Sequence, residues 1–409
     1  MSKLNNLLQD LCPNGVKYAK LGTVATISRG GNFQKKDFCE KGVPCIHYGQ
    51  IYTRYGLFTD KTLSFISEET AKKQKYAVKN DIIMAVTSEN IEDVCKCVAW
   101  LGEQKIAVSG HSAIIHHTIN PKFLCYYFHT EMFASQKKKL AHGTKVIEVT
   151  PDKLSDIIIP IPPLPIQEEI VRILDSYTKM TEELESKLKA ELEARKKQYE
   201  FYRDSLLKFD TGEGSSECIW SSISLSDIGK VSMCKRILKS ETSNTGDIPF
   251  YKIGTFGGKA NAYITKELFE KYKSQYSYPK KGDILISAAG TIGKTVIYDG
   301  KPAYYQDSNI VWIDNDEKLV LNRFLFYVYQ LNPWQVSTGG TIARLYNDNI
   351  ANATIIVPPL HEQERIVKIL DRFDKLCNDL TEGLPAEIES RRKQYEYYRD
   401  KLLTFTPAQ

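Results

Sequence analysis

Residues 162–175 read PPLPIQEEIVRILD, and residues 358–371 read PPLHEQERIVKILD. A second pair follows, with RKKQYEFYRDSLLKF at residues 195–209 and RRKQYEYYRDKLLTF at residues 391–405. Both pairs align without gaps at one offset of 196 residues (358 minus 162). The chain is therefore a tandem duplication with a period near 200 residues, too long for the repeats of a solenoid.

The segments that precede these blocks match more weakly. KNDIIMAVTSEN at residues 79–90 parallels KGDILISAAGTI at residues 281–292, and residues 142–164 parallel residues 339–360. Each half therefore consists of a diverged globular part and a near-identical helical part. The predicted division is 1–155 and 210–355 for the globular domains, and 156–209 and 356–409 for the helical regions.

The first helical region predicts one long helix over residues 166–207, about 60 Å long at 1.5 Å per residue. Prolines at 162, 163 and 165 fix its start. Its apolar positions recur at steps of three and four, which is typical of a helix-pairing seam. This predicted seam consists of Ile170, Ile173, Tyr177, Met180, Leu184 and Leu188.

The second helical region repeats the seam with Ile366, Ile369, Phe373, Leu376 and Leu380. It departs from the first copy at Gly383-Leu384-Pro385, where Pro385 removes a helical hydrogen bond and predicts a kink or a short break. Helices this long need a partner of similar length. We expect the two copies to pair within one chain because they share a high effective concentration, and the alternative is a dimerisation coiled coil between two chains.

Composition indicates a globular protein in a reducing compartment. The 409 residues are 42% hydrophobic and 26% charged, with a net charge of +5 that is compatible with a polyanion partner. No apolar run is long enough for a transmembrane helix, and MSKLNNLLQD lacks the apolar region of a signal peptide. Nine irregularly spaced cysteines fit free thiols, so a cytoplasmic location is expected.

A glycine-rich stretch, ILISAAGTIGKTVIY at residues 284–298, raises the question of a nucleotide-binding P-loop. A P-loop needs a glycine five residues before Gly293, where Ala288 stands, and a helix after Thr295. The β-branched residues that follow Thr295 predict a strand instead. We therefore expect a hairpin with strands at 283–288 and 295–298.

No catalytic constellation is recognisable elsewhere. The chain lacks G-x-S-x-G and H-E-x-x-H, and its Pro-Pro pairs do not follow an acidic residue as a methyltransferase motif requires. Pro151-Asp152-Lys153 has no counterpart in the second half, where Asn347-Asp348-Asn349 stands. The histidines of the first half are interpreted as strand and loop residues, and no metal site is predicted.

Tandem divergent domains, each followed by PPLxxQExIVxILD and then RRKQYEYYRDKLL, resemble the specificity subunits of type I restriction–modification enzymes. The resemblance covers nearly the whole chain. It implies an α+β fold with two tandem α/β target recognition domains, each followed by a long helix, the two helices pairing as an intramolecular antiparallel coiled coil. The K-x-D-I segments at Lys79 and Lys281 and the Gly-Thr turns at Gly143 and Gly340 resemble features of the recognition domain.

The resemblance also implies a function. Such a subunit is not an enzyme: each recognition domain reads one half of a bipartite, asymmetric site on double-stranded DNA, and the helices set the half-site spacing. The helices also dock two methyltransferase subunits, and restriction and translocase subunits join the full complex. S-adenosylmethionine, ATP and Mg²⁺ belong to those partners, so no cofactor is expected in this chain. Like helices on one chain independently predict two like docking surfaces, and antiparallel pairing suits the local two-fold symmetry of DNA.

The DNA contacts are predicted from donors that suit phosphates and side chains that read base edges, placed in loops and turns. In the first domain they are Arg29, Lys35, Lys36, Tyr48, Gln50, Tyr52, Arg54, Ser88, Asn90, Thr144 and Lys145. In the second domain they are Lys235, Arg236, Lys252, Thr255, Thr291, Lys294, Gly340, Thr341 and Arg344. Lys294 is thus a candidate DNA contact and not a nucleotide ligand.

Three other interpretations remain open from the sequence. The first is a coiled-coil interaction scaffold with two protein-binding domains, and the second is an enzyme of the P-loop class. The third is the specificity subunit of a type IIB-like system, which has different partners but a similar reader. Neither the DNA sequence recognised nor the length of the spacer follows from the residues.

Overall fold

The computed structural model describes residues 2–208, 220–336, 344–379 and 382–408. The chain forms two compact units. Unit 1 comprises Met1–Lys187 and Ile388–Gln409, and unit 2 comprises Leu188–Glu387. Each unit combines one mixed α/β domain with a stretch of helix from both helical regions.

The first half of the chain alternates short strands with short helices before its long helix. Its helices are α1 Ser2–Leu11, α2 Leu21–Val24, α3 Tyr48–Thr53, α4 Glu68–Ala71, α5 Pro121–Tyr127, α6 Glu131–Leu140, α7 Pro151–Leu154 and α8 Leu164–Leu207. Its strands are β1 Tyr18–Lys20, β2 Ala25–Arg29, β3 Phe38–Cys39, β4 Val43–Ile46, β5 Phe58–Thr59, β6 Ser64–Ile66, β7 Lys75–Ala77, β8 Ile82–Ala85, β9 Thr87–Ser88, β10 Cys97–Trp100, β11 Ile106–Val108, β12 Ser112–His117, β13 Ile147–Glu148 and β14 Ile158–Pro160.

Two five-stranded sheets organise unit 1. One has the order β2-β12-β8-β10-β5, and the other has the order β3-β6-β4-β11-β7. Strand β8 is buried at every position, as expected for a central strand covered on both faces. The core continues through the aromatic helix α5 to Ile166, Ile170 and Leu174 of α8. The long helix is therefore anchored in the domain core by its first three turns.

The second half has the same plan with fewer strands. Its strands are β15 Ser221–Ser224, β16 Gly229–Ser232, β17 Ile248–Tyr251, β18 Tyr263–Ile264, β19 Ile284–Ser287, β20 Thr295–Ile297, β21 Tyr304–Tyr305, β22 Ile310–Asn315 and β23 Thr354–Val357. Its helices are α9 Leu225–Ile228, α10 Lys266–Gln275, α11 Asn322–Tyr329, α12 Asn347–Ala351, α13 Leu360–Asn378 and α14 Leu384–Leu402. The sheets of unit 2 have the orders β16-β22-β19-β20 and β18-β17-β21, beside the pair β15-β23.

The glycine-rich stretch forms the predicted hairpin. Strands β19 and β20 pair antiparallel, with Ile284 opposite Ile297 and Ile286 opposite Thr295. Gly290 and Gly293 both have positive φ angles, of 67° and 79°, which the tight connection requires. The segment that follows Thr295 is a strand, so it provides no helix N-terminus for a phosphate.

The predicted long helix and the predicted interruption of its second copy are both present. Helix α8 begins at Leu164, two residues before the predicted start, and ends at Leu207. The second copy ends as α13 at Asn378 and resumes as α14 at Leu384, with Pro385 in the first turn, where a missing N–H costs no helical bond. Within the described part of the chain, no helix is both long and apolar enough to cross a membrane.

The helices pair antiparallel within each unit. In unit 1, Leu403, directly after α14, shares a core with Ile166 near the start of α8, and Tyr395 of α14 bonds Thr178 further along α8 at 2.9 Å. In unit 2, Leu207 at the end of α8 shares a core with Ile366 near the start of α13. The intramolecular antiparallel pairing expected from the sequence is confirmed.

The predicted seam is wrong at its third, fourth and fifth positions, and its sixth, Leu188, is half-buried. Ile170 and Ile173 are buried, but Tyr177, Met180 and Leu184 are 40%, 62% and 38% exposed. The reason is that α14 approaches a neighbouring face of α8, through Thr178, and leaves the apolar stripe open. We call the resulting surface the unit 1 patch; it consists of Tyr177, Met180, Leu184, Tyr397 and Tyr398.

An equivalent surface exists in unit 2. The unit 2 patch consists of Phe201, Tyr202, Phe373 and Leu376. At the offset of 196 residues, these positions match Tyr397, Tyr398, Tyr177 and Met180 of the unit 1 patch. The rings of Tyr202 and Phe373 lie 5.4 Å apart, as the rings of Tyr177 and Tyr398 lie 6.5 Å apart. Leu380, the counterpart of Leu184, lies outside the described residues.

Candidate nucleic-acid interface

In unit 1 the polar residues gather where β8 ends and β12 begins. The Tyr52 hydroxyl donates to the Thr87 carbonyl at 2.6 Å, and the Thr87 hydroxyl lies 3.1 Å from Nδ1 of His111. The His111 ring lies 4.9 Å from the ring of Tyr48. We call Arg29, Tyr48, Tyr52, Thr87, His111 and Glu148 the unit 1 face.

Arg29 is the charged centre of the unit 1 face. Its Nε donates to the Gly110 carbonyl at 2.7 Å, and its Nη2 lies 2.8 Å from the Glu148 carboxylate. The side chain is 45% exposed, so it is accessible from solvent. Because Glu148 is opposite Thr87 in the β13–β9 pair, the guanidinium belongs to the same surface.

The β13–β9 pair also brings the predicted turn to this surface. Ile147 is opposite Ser88, so the turn of residues 143–146 lies beside the end of β9. Gly143 has φ +109°, and a Cβ there would lie 2.0 Å from the Val146 carbonyl oxygen. Glycine is therefore required for the tight turn itself, which holds Thr144 and Lys145 exposed.

Two of the predicted contacts have their polar atoms occupied within the protein. Gln50 donates to Ser64 at 2.7 Å and accepts from the His47 N–H at 3.1 Å. Asn90 bonds Asp93 through both ends of its amide, each at 2.8 Å. These side chains shape a helix start and a turn, so reading a base edge would have to use the second N–H of each amide or break one of these bonds.

The predicted cations around helix α3 are exposed. Lys35 and Lys36 lie in a one-turn 3-10 helix at Lys35–Asp37, and Arg54 lies at the end of α3. Burial, with a smaller contribution from the Lys35 charge, lowers the pKa of His47 to about 4. His47 is therefore neutral at pH 7, and its Nδ1 accepts the Gly49 N–H at 3.2 Å.

In unit 2 the polar residues gather at the turn that precedes β22. Arg344 donates to the Ser308 carbonyl at 2.7 Å, and Nε of Arg236 lies 3.4 Å from the Asp307 carboxylate. Gln306 accepts the Ile253 N–H at 3.0 Å, so the loop that carries Lys252 is joined to the same turn. We call Arg236, Lys294, Asp307, Ser308 and Arg344 the unit 2 face.

The ammonium and the main-chain N–H of Lys294 are both bonded within the protein. Its ammonium donates to the Phe256 carbonyl at 2.6 Å and packs on Gly257, which has φ +70°. Its main-chain N–H donates to the Ser287 hydroxyl at 2.9 Å, which closes the β19–β20 turn. Lys294 therefore ties the hairpin to the loop after Thr255 and stays a candidate for DNA contact.

The remaining predicted residues of unit 2 differ in their surroundings. The Thr255 hydroxyl is bonded to the Lys252 main chain in a one-turn helix, and Thr291 is exposed at the tip of the hairpin. The Lys235 ammonium lies over the ring of Tyr276, 5.1 Å from its centroid. Gly340 and Thr341 lie outside the described residues.

The two faces occupy equivalent positions. Strands β12 and β22 each have six residues, and Gly110 and Ser308 both stand two residues before the strand begins. Each of these carbonyls accepts from an arginine, Arg29 in unit 1 and Arg344 in unit 2. The arginines come from unrelated parts of the two sequences, so the faces share a position but differ in chemistry.

Sequence reasoning missed Thr87, His111, Glu148, Asp307 and Ser308. His111 and Ser308 both lie within two residues of a buried strand start, in a turn-forming context that was available as a signal. No local signal indicates that Glu148 pairs with Arg29, which is more than a hundred residues away.

The K-x-D-I segments prove to be turns. Asp81 accepts the Val78 N–H at 2.8 Å, and Asp283 accepts the Lys280 N–H at 2.7 Å. The residues that precede them, Asn80 and Gly282, have φ angles of 73° and 98°. The motif therefore starts the central strand of each domain. Within the described ranges, no cluster of three His, Cys, Asp or Glu side chains is arranged to bind a metal ion.

The family model for the type I restriction modification DNA specificity domain matches residues 13–194 and again residues 219–390. The two matches cover most of the chain and correspond to its two halves. The protein therefore belongs to the type I restriction–modification DNA specificity family.

Relatives at the sequence level support the same family. A putative type I restriction enzyme specificity subunit of Haemophilus influenzae is 54% identical over 292 residues, which are 70% of this chain and 73% of that protein. The EcoR124I/EcoR124II specificity subunit of Escherichia coli is 36% identical over 258 residues, which are 59% of this chain and 60% of that protein.

Solved structures show the same fold. A chain from a study of assembly and conformational transition of the type I R-M system has a TM-score of 0.65 at 18% identity, covering 96% of this chain and 98% of that one. The HsdS subunit of Thermoanaerobacter tengcongensis has a TM-score of 0.55 at 16% identity, covering 96% and 97%.

Proposed function

We propose that this protein is the non-catalytic subunit that reads DNA for a type I restriction–modification enzyme. The observation that carries the proposal is the double match to the specificity family, one match for each half that bears a polar face. We further propose that the functional division follows the sequence, with recognition domains at 1–155 and 210–355 and helical regions at 156–209 and 356–409.

Each face combines cations that suit phosphates with polar side chains that suit base edges. The unit 1 face offers tyrosines and a histidine around Arg29, and the unit 2 face offers two arginines and an aspartate. Because the side chains differ at equivalent positions, each domain reads a different half-site. The recognised DNA site is therefore bipartite and asymmetric.

The helices dock two copies of a methyltransferase subunit in this proposal. Exposed apolar residues rarely form a shared patch on a protein that has no partner. Met180 is 62% exposed in the unit 1 patch, and Phe201 is 66% exposed in the unit 2 patch. The same repeat positions form both patches, which supports two like partners.

The chemistry resides in the partners. S-adenosylmethionine binds the methyltransferase subunits, and ATP with Mg²⁺ binds the restriction and translocase subunits. A protein that works on chromosomal DNA is expected in the cytoplasm of a bacterium.

The test is methylome sequencing of cells that express this chain with its cognate methyltransferase, beside cells that lack this chain. We expect methyladenine at a split, asymmetric motif, and its loss when the chain is absent. An unchanged methylome with an active methyltransferase would refute the proposal and favour an interaction scaffold.

A further inference from the structure

The two domains are attached to their long helices by the same set of contacts. The first joint consists of Asn120, Lys122, Tyr126, Gln167 and Asp175. The second joint consists of Leu321, Arg323, Tyr327, Gln363 and Asp371. The first three residues of each joint belong to the start and body of a short domain helix, α5 or α11. The last two belong to the long helix, α8 or α13.

A buried glutamine makes one end of each joint. Gln167 accepts the Asn120 N–H at 2.8 Å and donates to the Pro162 carbonyl at 2.7 Å. Gln363 accepts the Leu321 N–H at 2.8 Å and donates to the Pro358 carbonyl at 2.8 Å. These glutamines are 5% and 0% exposed, so each makes its main-chain hydrogen bonds from a buried position.

An aspartate makes the other end. Asp175 accepts from the Lys122 ammonium at 2.6 Å and from the Tyr126 hydroxyl at 2.8 Å. Asp371 accepts from the Arg323 guanidinium at 2.6 Å and from the Tyr327 hydroxyl. Both tyrosines are fully buried, which fixes the ring and therefore the direction of each hydroxyl.

The spacing of the contacts determines what a joint can do. The glutamine and the aspartate are eight residues apart, which is about 12 Å along the long helix. On the domain helix, the residue bonded to the glutamine and the tyrosine bonded to the aspartate are six residues apart, which is about 9 Å. Two contacts this far apart resist rotation of a domain about its helix, which one contact alone does not.

A small rotation at a joint matters for DNA. A domain of about 150 residues has a radius of gyration of about 15 Å, so its far side lies about 30 Å from the joint. A rotation of about 6.5° then moves a contacting side chain by about 3.4 Å, the rise of one base along a strand.

We propose that Asp175 and Asp371, with their tyrosine and cation partners, are positioning residues that hold each recognition domain at a fixed angle on its helix and so restrict the spacing between half-sites to one length. This rests on the proposed function. The faces determine which bases are read, the helices determine how many base pairs separate the half-sites, and the joints keep that number from varying.

The test uses the complete chain with its methyltransferase, and it measures the spacer length of every methylated site. The variants are Asp175→Ala and Asp371→Ala. The matched controls are Glu168→Ala, an exposed carboxylate on α8 with Asp175, and its counterpart Glu364→Ala, an exposed carboxylate on α13 with Asp371. We expect each aspartate variant to methylate the same half-sites while its preference for the native spacer falls by about fivefold over spacers one base pair shorter or longer. The controls retain the native preference.

Tyr126→Phe and Tyr327→Phe are milder variants that remove one hydroxyl and keep the ring. They take the place of an aspartate variant that fails to fold. We expect them also to lower the preference for the native spacer. Folded variants that keep the native spacer preference would overturn the inference. An equal loss of methylation at every spacer, or a changed half-site sequence, would also overturn it. A wild-type chain that yields no split motif would instead refute the proposed function.

Discussion

If each apolar patch binds one methyltransferase subunit, one substitution in a patch should reduce the number of subunits that this chain binds. Met180→Asp places a carboxylate in the unit 1 patch, and Leu376→Asp does the same in the unit 2 patch. Both residues are exposed, at 62% and 38%, so the free protein should lose little stability. If each patch binds one methyltransferase subunit, each variant should bind one copy in place of two.

The magnitude follows from the exposed area. Fully burying a methionine side chain contributes about 1.5–3 kcal/mol, so a partner that covers Met180 gains about 1–2 kcal/mol from it. Aspartate forfeits this gain and also places a charge against an apolar surface, which costs several kcal/mol unless the charge stays in water. A total loss of about 3 kcal/mol weakens binding at that patch by more than a hundredfold.

The assay is native mass spectrometry of the complex at a concentration where the wild type binds two partners. Ser186→Asp is the matched control, because Ser186 is exposed on the same helix outside the patch and receives the same charge. We expect two partners for the control, one for each single variant and none for the double variant. Two partners on folded Met180→Asp, at wild-type affinity, would refute docking through this patch.

Three further predictions concern the faces and the domain cores. Arg344→Ala should weaken DNA binding by the assembled complex by about 1–3 kcal/mol, and unchanged affinity at moderate salt would remove it from the interface. Replacing residues 12–155 with the corresponding domain of another family member should change one half-site in the methylome; a change in both would contradict separate reading. The pKa of His47 and of His117 is lowered to about 4, chiefly by burial, so the unfolded chain binds more protons below pH 6.5 and the folded state loses stability as pH falls towards 4. Urea unfolding should show a loss of up to about 1.4 kcal/mol per pH unit for each histidine, with a shallower slope in His47→Asn, and an equal slope would contradict a neutral His47.

The long elements of the fold could be predicted because their determinants are local. Prolines fix the start of α8, and Pro385 marks the place where the second copy is interrupted. β-Branched residues after Thr295 distinguish a hairpin from a P-loop, and the structure pairs those strands. Each of these outcomes depends on residues within a few positions of one another.

The helix seam could not be predicted, because periodicity identifies an apolar stripe but not what covers it. Tyr177 and Met180 continue the spacing of Ile170 and Ile173, yet only the isoleucines are buried. The neighbouring Thr178 meets Tyr395. A small polar residue thus lies at the helix contact, while the large apolar residues remain available for a partner.

The candidate interface was only partly predictable for a similar reason. Residue type indicated that Gln50 and Asn90 suit base edges, but their amides complete a helix start and a turn. Whether a donor is already bonded within the protein depends on contacts such as those with Ser64 and Asp93. The residue type alone fits either a structural role or a DNA contact.

The two halves of the chain repeat the residues of the joints but differ in the residues of the faces. At the joints, the glutamine, the tyrosine and the aspartate are repeated, and the cation changes only from Lys122 to Arg323. Asn120 is replaced by Leu321, but each contributes only its main-chain N–H to the glutamine. At the faces, the carbonyl two residues before β12 or β22 is repeated, but its arginine partner comes from a different segment in each half. A change at a face alters local chemistry without moving the domain, whereas a change at a joint moves every contact of that domain together. Divergence of the faces with repetition of the joints is therefore what a reader needs if its half-sites are to change while their spacing stays constant.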